Sequence, residues 1–282
     1  MSNGEPVEVE VAVVTGGASG FGLALATRFA QRGMKVGLLD LDGDRVLSAA
    51  AGITAAHGVE AVGLAVNVAD DESVQAAARA VTEQFGRADL VMSNVGVQLF
   101  GSVERLTDRE WQWVLDVNVV GAARIARAFL PLLRSSPRPR LGFTTSSSVL
   151  DPASRLGAYQ ASKFALWGLA ETLALELKED GVAVSIVFPS GMMSRHLESS
   201  TAAQPPELAR TIGEPEDFEV MMASNPEMVQ APVDPEEAAS NVIDALLDGE
   251  RYIVTHGDLV GAVMRRDEQL LAAARAALPA KD

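Results

Sequence analysis

Short apolar segments alternate with longer stretches of helical periodicity along most of this 282-residue chain. The pattern predicts strands at residues 9–14, 34–39, 61–66, 90–93, 141–145, 182–188 and 252–255, and helices at 21–32, 45–57, 71–85, 107–133, 157–179, 235–247 and 267–278. Strands that alternate with helices at this spacing indicate parallel βαβ units, because neighbouring parallel strands need a long crossover connection. We therefore expect an α/β fold built on a doubly wound parallel sheet.

The alternation breaks down between residues 190 and 235. This segment is rich in Pro, Ser and Glu, and it holds five of the nine methionines, Met192, Met193, Met221, Met222 and Met228. An acidic run at residues 214–219 is expected to form a solvated surface. We expect a single domain over residues 1–282, with residues 190–235 as an irregular insertion near its end.

Composition and charge narrow the classes of function. The formal net charge of -15 argues against binding to nucleic acid or to an anionic membrane surface, because both need clustered cations. The absence of cysteine excludes disulfides and thiolate metal sites, and the three histidines are far apart, so no metal site is expected. The chain shows neither an apolar run of about 20 residues nor the pattern of a signal peptide, so we expect a cytoplasmic protein.

A glycine-rich turn follows the first predicted strand directly. Gly16, Gly20 and Gly22 lie between that strand and the first predicted helix. Glycine lets the backbone approach a pyrophosphate closely, and the N-terminus of a helix attracts an anion. The turn is not followed by Gly-Lys-Ser or Gly-Lys-Thr, which excludes a triphosphate loop of the Walker type. We therefore predict a dinucleotide site, with a purely structural strand-to-helix turn as the alternative.

Asp40 stands at the end of the second predicted strand, 18 residues after Gly22. A carboxylate there accepts hydrogen bonds from the hydroxyls of an adenosine ribose and repels a 2′-phosphate. The glycine-rich turn contains no Arg or Lys to hold such a phosphate, so we expect NAD rather than NADP as the cofactor. In the alternative interpretation Asp40 only caps the following helix, a role that Asp42 and Asp44 could fill instead.

Tyr159 and Lys163 are four residues apart within a predicted helix, so they lie on one face of it. At about 4 Å and an effective dielectric constant near 20, an ammonium group stabilises a phenolate by roughly 4 kcal/mol. An interaction of that size would bring the pKa of the phenol from about 10 toward 7. A phenol near neutrality is a useful general acid or base. A solvated pair on a helix surface is the alternative.

Two further polar features precede this pair. The run Thr-Thr-Ser-Ser-Ser at residues 144–148 ends a predicted strand, at the sheet edge where such folds bind ligands; alternatively, it is a turn or capping cluster. Asn118 is polar within an apolar helical stretch, and a buried amide needs partners. These partners are either backbone groups or a chain of water molecules that reaches Lys163.

Taken together, these motifs resemble those of the short-chain dehydrogenase/reductase family, in its shorter single-domain branch. The resemblance extends from about residue 9 to residue 252. It rests on Asn118, on the serine run and on four motifs: Thr15-Gly-Gly-Ala-Ser-Gly-Phe-Gly22, Ser93-Asn94-Val95-Gly96, Tyr159-Gln-Ala-Ser-Lys163 and Pro189-Ser-Gly-Met-Met-Ser194. It implies a Rossmann-like fold and reversible hydride transfer between a nicotinamide cofactor and an alcohol or ketone.

The resemblance also implies roles for individual residues. Tyr159 would be the acid/base, Lys163 would lower its pKa and hold the nicotinamide ribose, and Asn118 would order a water molecule of a proton relay. The substrate-positioning serine is expected 13 residues before the tyrosine, at Ser146, with Ser147 and Ser148 as alternatives. The residues implied to contact the cofactor are Gly16, Ser19, Gly20, Phe21, Gly22, Asp40, Asn67, Val68, Asn94, Gly96, Tyr159, Lys163, Pro189, Met192 and Ser194.

Four positions depart from the family pattern. Ser93 and Val95 replace the first and third residues of the usual Asn-Asn-Ala-Gly signature. Asn67 stands where Asp is usual beside adenine, which keeps a hydrogen-bonding side chain but loses the charge. Ser190 replaces the Gly that usually follows Pro189, so the turn next to nicotinamide is expected to differ locally. None of these changes removes a catalytic group.

Residues 190–235 fall where the family places its substrate-covering segment. The methionines there suggest a bulky, apolar or aromatic alcohol or ketone as substrate, or else they fill gaps against the rest of the domain. Gln98, Ser148 and Met193 are expected to line the substrate site. Helices that look apolar on more than one side, together with the resemblance, imply a homotetramer or homodimer. The alternative function is a non-catalytic protein that senses a dinucleotide on the same fold.

Overall fold

Parallel strands form the centre of the structure. The computed structural model describes residues 10–208, 215–224 and 232–278. The strands within these residues are β1 (Val11–Thr15), β2 (Lys35–Asp40), β3 (Ala61–Ala65), β4 (Leu90–Ser93), β5 (Arg140–Thr144), β6 (Ala183–Phe188) and β7 (Tyr252–Val254). These seven described strands form one parallel sheet in the order β3-β2-β1-β4-β5-β6-β7, which confirms the expected α/β fold and its doubly wound, Rossmann-like sheet.

Helices connect the strands and cover both faces of the sheet. They are α1 (Gly20–Gln31), α2 (Gly43–His57), α3 (Asp71–Phe85), α4 (Asp108–Leu115), α5 (Gly121–Arg134), α6 (Gly157–Glu176), α7 (His196–Ala202), α8 (Pro215–Ser224), α9 (Pro235–Asp248) and α10 (Val260–Ala276). Within the described residues, no helix combines the length and the apolar character that crossing a membrane requires.

The order of the strands reverses at β1, which pairs with β2 on one side and with β4 on the other. The register aligns Val14 with Leu38 of β2 and with Met92 of β4, so the carboxyl ends of these strands lie at the same edge. A crevice opens beyond the carboxyl ends of the strands where a parallel sheet reverses in this way. The turns that follow β1, β2 and β4 therefore meet at one place.

Apolar side chains pack on both faces of the sheet. Phe129 of α5 and Phe143 of β5 belong to the cluster on one face, and Phe29 of α1 and Leu38 of β2 belong to the cluster on the other. Every residue of β1, β4 and β5 is buried. Burial on both faces explains why the strands read as continuous apolar runs in the sequence.

Three helical features differ from the expectation. The helix predicted at residues 107–133 is divided into α4 and α5 by a π turn at Asp116–Val120. The last helix begins at Val260 rather than at residue 267, because Ala262 is buried and Val263 packs against the core. The segment predicted to be irregular contains α7 and α8. Met228 lies outside the described residues.

Gly22 marks a close approach between α1 and the turn before it. A Cβ atom at this position would lie 2.1 Å from the carbonyl oxygen of Gly16, so an added methyl group must displace backbone. We expect Gly22→Ala to lower the free energy of unfolding by about 1–3 kcal/mol in urea titrations. Gly52 of α2 is the matched control, since its Cβ position has no neighbour within 4 Å and Gly52→Ala should raise stability by up to about 1 kcal/mol. Equal effects of the two substitutions would contradict the close approach.

Candidate active site

A cavity of about 820 Å³ opens at the carboxyl edge of the sheet, where the strand order reverses. The glycine-rich turn after β1 and Asp40 line one part of it. Tyr159, Lys163 and the segment after β6 line another part. Except for Asn118 and Met193, all the residues that the sequence proposes for the site line this cavity.

The turn after β1 is fixed to the end of β4. Gly16 and Gly20 have positive φ angles of 67° and 54°, which glycine adopts without strain. The Oγ1 atom of Thr15 accepts hydrogen bonds from the backbone N–H groups of Asn94 and Val95 at 2.8 and 3.0 Å, and Asn94 Nδ2 donates to the Thr15 carbonyl at 3.0 Å. Thr15 therefore ties the turn to the end of β4. Its position next to the glycines in the sequence does not by itself predict this role.

The N-terminus of α1 borders the cavity. Ser19 precedes the helix as its N-cap residue, but its hydroxyl makes no capping hydrogen bond, and the first turn has no acidic side chain. The N–H groups at the start of a helix carry partial positive charge and attract anions. Together with the side-chain-free surface of Gly16 and Gly22, this arrangement fits the pyrophosphate of a dinucleotide.

Asp40 lies at the end of β2, next to the same turn. Its Oδ2 atom accepts a hydrogen bond from the Ala18 N–H at 3.0 Å, and its Oδ1 atom accepts one from the Asp42 N–H at 3.2 Å. The N-cap of α2 is Asp42, which accepts from the Arg45 N–H at 3.0 Å, so the interpretation of Asp40 as the helix cap is wrong. Each oxygen of the Asp40 carboxylate keeps a lone pair for a ligand hydroxyl.

Arg45 was not among the residues that the motifs point to, yet it lines the cavity beside Asp40. Its Nε atom lies 3.5 Å from the Asp42 carboxylate. The cation is therefore partly balanced where the adenosine end of a dinucleotide would lie. In the sequence, only its spacing of three residues from Asp42 indicates that Arg45 could lie beside these carboxylates.

Asn67 and Val68 follow β3 and border the cavity. The Oδ1 atom of Asn67 accepts a hydrogen bond from the Ala69 N–H at 3.0 Å, and its backbone N–H donates to the Ser73 hydroxyl at 3.0 Å. Asn67 thus shapes the turn before α3, a task that needs no charge.

Tyr159 and Lys163 are both buried on α6. The Nζ atom of Lys163 donates a hydrogen bond to the Thr144 carbonyl at 2.9 Å and lies 5.7 Å from the centroid of the Tyr159 ring. Burial lowers the pKa of the Lys163 amine to about 8. The pair is therefore not the solvated surface pair of the alternative interpretation.

The phenol of Tyr159 differs from the expectation in its electrostatics. Burial raises its pKa above the usual value of 10, and a hydrogen bond with Ser146 acts in the opposite direction. The expected shift of the Tyr159 pKa toward 7 does not occur in this structure, because desolvation of the phenolate outweighs the hydrogen bond with Ser146.

The serine run serves several purposes. Ser146 caps a short 3-10 turn, since its Oγ atom accepts from the Ser148 N–H at 3.1 Å, and it also bonds to Tyr159. Thr145 donates to the Val187 carbonyl of β6 at 2.7 Å. The capping interpretation and the site interpretation therefore both hold for Ser146.

Asn118 is fully buried in the π turn. Its Oδ1 atom accepts from the Val97 N–H at 2.7 Å, and its Nδ2 atom donates to the Val97 carbonyl and to the Ser162 hydroxyl, both at 2.9 Å. Backbone groups, one of the two kinds of partner considered for its side chain, are therefore present, together with the hydroxyl of Ser162. Asn118 thus fixes the segment after β4, although it does not itself line the cavity.

The segment after β6 is attached to its neighbours by backbone contacts. The Met193 N–H donates to the Val233 carbonyl at 2.9 Å. Ser190, the residue that replaces the usual glycine, donates from its hydroxyl to the His256 carbonyl at 2.9 Å. Pro189, Met192 and Ser194 line the cavity as expected. Met193 does not fit the expectation that it lines the substrate site, because the backbone pairing turns its side chain outward and leaves it 64% exposed.

Helix α8 closes the cavity on another side. Phe218 packs edge-on against Phe100, with ring centroids 5.7 Å apart, and Met221 and Met222 line the wall. Asp217 is 1% exposed and forms ion pairs with Arg105 and, at 3.4 Å, with Arg155. The expectation of a solvated acidic run is therefore wrong at Asp217, because two cations from neighbouring loops cover its carboxylate.

The other walls hold Gln98 and an unanticipated histidine. Gln98 lines the cavity, and its backbone N–H donates to the Ser200 hydroxyl of α7 at 3.0 Å. His196 also lines the cavity, with its ring centroid 6.2 Å from that of Tyr159. No motif marks His196 in the sequence, because only the fold brings α7 to Tyr159.

The buried amine of Lys163 predicts a pH dependence of stability. Because its pKa is about 8 in the folded protein, against an ordinary value of 10.5, the unfolded chain binds more protons between these values, and stability rises with pH there. We expect this group to add roughly 1–2 kcal/mol to the free energy of unfolding between about pH 8 and 9.5. Lys163→Met should lose this rise of the free energy of unfolding with pH. Lys178→Met is the matched control and should keep the rise, because Lys178 is exposed. Parallel pH profiles of the two variants in urea titrations would contradict the burial of the charge.

Comparisons with known proteins agree with the fold and with the motifs. Residues 10–205 match the family model described as short chain dehydrogenase. The chain is similar to a C alpha-dehydrogenase from Sphingobium sp., with 32% identity over 252 residues, which are 89% of this chain and 81% of that protein.

Two solved structures show the same architecture. A short chain dehydrogenase/reductase from Burkholderia phymatum in complex with NAD matches with a TM-score of 0.85 and 28% identity, over 99% of this chain and 100% of that chain. An alcohol dehydrogenase from the archaeon Thermococcus sibiricus, complexed with 5-hydroxy-NADP, matches with a TM-score of 0.72 and 25% identity, over 88% and 96% of the two chains. The chain therefore belongs to the short-chain dehydrogenase/reductase family of oxidoreductases.

Proposed function

We propose that this protein uses NAD(H) to interconvert a secondary alcohol and a ketone with a bulky, apolar or aromatic body. The observation that carries the proposal is that Ser146, Tyr159 and Lys163 share one cavity with the glycine-rich turn. A dinucleotide cradle beside a buried proton-transfer group is what hydride transfer to a carbonyl carbon requires.

The residues of the chain divide the chemistry between them. When bound, the nicotinamide ring supplies or accepts the hydride. Ser146 and Tyr159 hold the substrate oxygen, and Tyr159 passes the proton. Its raised pKa keeps the phenol protonated at neutral pH, which is the form that donates to a ketone oxygen. Lys163, with a pKa of about 8, is charged at neutral pH and favours the phenolate in the reverse direction.

Asn118 acts as a positioning residue in this proposal. It bonds the backbone on both sides of Val97 and the hydroxyl of Ser162, so it fixes the segment that carries Gly96 beside Lys163. A Cβ atom at Gly96 would lie 2.9 Å from Lys163 Nζ, so the position of this segment decides how much room the amine has. The proton-relay water that the family resemblance implies is part of the proposal.

The preference for NAD rests on the charges at the adenosine end. Asp40 and Asp42 border the cavity there and oppose a 2′-phosphate, while Arg45 would attract one. Because Arg45 already lies against Asp42, two carboxylates stand against one guanidinium group. This balance supports NAD.

The proposal also covers the domain organisation, the oligomeric state and the cellular location of the protein. We place residues 190–235 as the substrate-covering insertion of a single domain over residues 1–282, supported by Met192, Met221 and Met222 in the cavity wall. Exposed apolar side chains on α6, such as Phe164 and Leu175, support a homotetramer or homodimer. The cytoplasmic location stays a prediction.

Tyr159→Phe tests the acid/base role, because it removes only the hydroxyl. We expect turnover of secondary alcohols, followed as NADH absorbance, to fall by about 10³-fold, while the Kd for NAD stays nearly unchanged. Tyr252→Phe is the matched control at the other tyrosine, which is exposed and hydrogen-bonded to Glu171. Retained turnover in Tyr159→Phe would refute the role. Binding of NAD with no turnover of any alcohol or ketone by the wild type would favour the dinucleotide-sensing alternative.

Asp40→Asn tests the choice of cofactor. We expect NAD to raise the Tm of the wild type more than NADP does at equal concentration, with Kd values about tenfold or more apart, because Asp40 repels the extra phosphate. The variant keeps an acceptor oxygen but loses the charge, so the difference should shrink. Asp44→Asn, at an exposed residue of α2 outside the cavity, should leave it unchanged. Equal or better protection by NADP in the wild type would count against the assignment.

A further inference from the structure

Two side chains of the cavity carry a buried polar atom that has no hydrogen-bond partner among the residues the structure describes. The atoms are Oγ of Ser148 and Nε2 of His196. A polar atom that loses water and gains no partner costs free energy, so such atoms are uncommon in folded proteins. In the wall of a ligand cavity they mark positions that receive a polar group of the ligand.

Ser148 is held firmly beside the proton-transfer group. Its backbone N–H donates to Ser146 Oγ at 3.1 Å, and its carbonyl accepts from Gln160 Nε2 at 2.8 Å. The residue is 1% exposed. Its hydroxyl is therefore fixed in the wall, with both its donor and its acceptor capacity unused by the described residues.

His196 offers a neutral hydrogen-bonding group. It begins α7, and its ring lies beside that of Tyr159 with the planes tilted by 59°. Burial, and after it the charge of Lys163, lowers the pKa of the imidazole to about 4. The ring is uncharged at physiological pH, so it suits a hydroxyl or carbonyl oxygen better than a carboxylate or phosphate.

The other walls of the same cavity are largely apolar. Trp113, Phe218 and Met221 all line it. A ligand that matches both kinds of wall has an apolar body and two oxygens. One oxygen of such a ligand would meet Tyr159 and Ser146, and the other would meet Ser148 and His196.

We propose that the substrate is a secondary alcohol or ketone with a second, uncharged oxygen one or two carbons from the reacting carbon, and that Ser148 and His196 bind this second oxygen. The inference rests on the proposed function for the place of the reacting oxygen. It narrows the substrate class to diols, hydroxyketones or diketones with an apolar or aromatic body. A site built to bond an oxygen rejects analogues that lack it far more strongly than an apolar pocket rejects a change of shape.

Three matched probes test the proposal: 1-phenyl-1-propanol, 1-phenyl-1,2-propanediol and 1-phenyl-1,3-propanediol. With NAD, we expect kcat/KM for the better diol to exceed that for the monoalcohol by about tenfold or more. This ratio should fall by about tenfold in His196→Phe and in Ser148→Ala. His57→Phe, the same change at the end of α2 and outside the cavity, should preserve it. A ratio of one or less in the wild type, or a ratio that survives in both variants, would overturn the proposal.

Binding measurements separate this inference from the proposed function. Intrinsic tryptophan fluorescence, to which Trp113 in the cavity wall contributes, reports the Kd of each probe without turnover. Tighter binding of a diol that is lost in both variants, with no oxidation of any probe, would support the recognition and refute the activity. Oxidation of all three probes at equal kcat/KM would support the activity and overturn the recognition. The absence of binding by every probe would also overturn the recognition.

The Tm of the His196→Phe variant shows whether a loss of diol preference comes from lost substrate binding or from a weakened fold. Because His196→Phe removes an unpaired buried polar atom, it should not lower the Tm of the ligand-free protein. A loss of more than about 5 °C would show that His196 supports the fold, and it would overturn the assignment of this residue to the substrate.

Discussion

The burial of one ammonium group organises the centre of the site. Lys163 is 2% exposed, and its Nζ atom donates to the Thr144 carbonyl at the end of β5. Gly96 leaves the space for it after β4, and Asn118 in the π turn bonds Ser162, the residue before it. Four elements of the fold thus converge on one amine. A cation removed from water lowers the stability of a fold, so this convergence is better explained by chemistry than by packing.

The same burial governs the phenol beside it. Spacing along a helix predicts only that Lys163 is near Tyr159, and a Coulomb estimate then draws the pKa of the phenol down. The structure adds desolvation, which acts on the phenolate and the ammonium alike and raises the pKa of Tyr159 while lowering that of Lys163. Both shifts favour the uncharged forms. The phenol therefore holds its proton at rest, and ionisation has to be driven by charge that arrives with the reactants.

The parts of the fold that follow from the sequence are those with local causes. The strand predicted at residues 90–93 coincides with β4 because buried parallel strands read as apolar runs. The predicted ends of the second and third helices are confirmed because Gly58 and Gly86 follow them with φ angles of 69° and 75°. The π turn has no local cause: it accompanies bonds between Asn118 and Val97, 21 residues away. No sequence motif marks His196 for the same reason, since its contact with Tyr159 exists only in the folded chain.

The segment after β6 shows how tertiary contacts override composition at the site itself. Composition indicates a solvated acidic run, yet the ion pairs of Asp217 with Arg105 and Arg155 hold α8 against the loops before α4 and α6. Met192, Met221 and Met222 line the cavity and adapt to many shapes, so shape alone discriminates weakly between substrates. Discrimination is then left to the few polar atoms that the fold holds in place. A cavity built in this way tolerates variation in the apolar body of a ligand and rejects a misplaced oxygen.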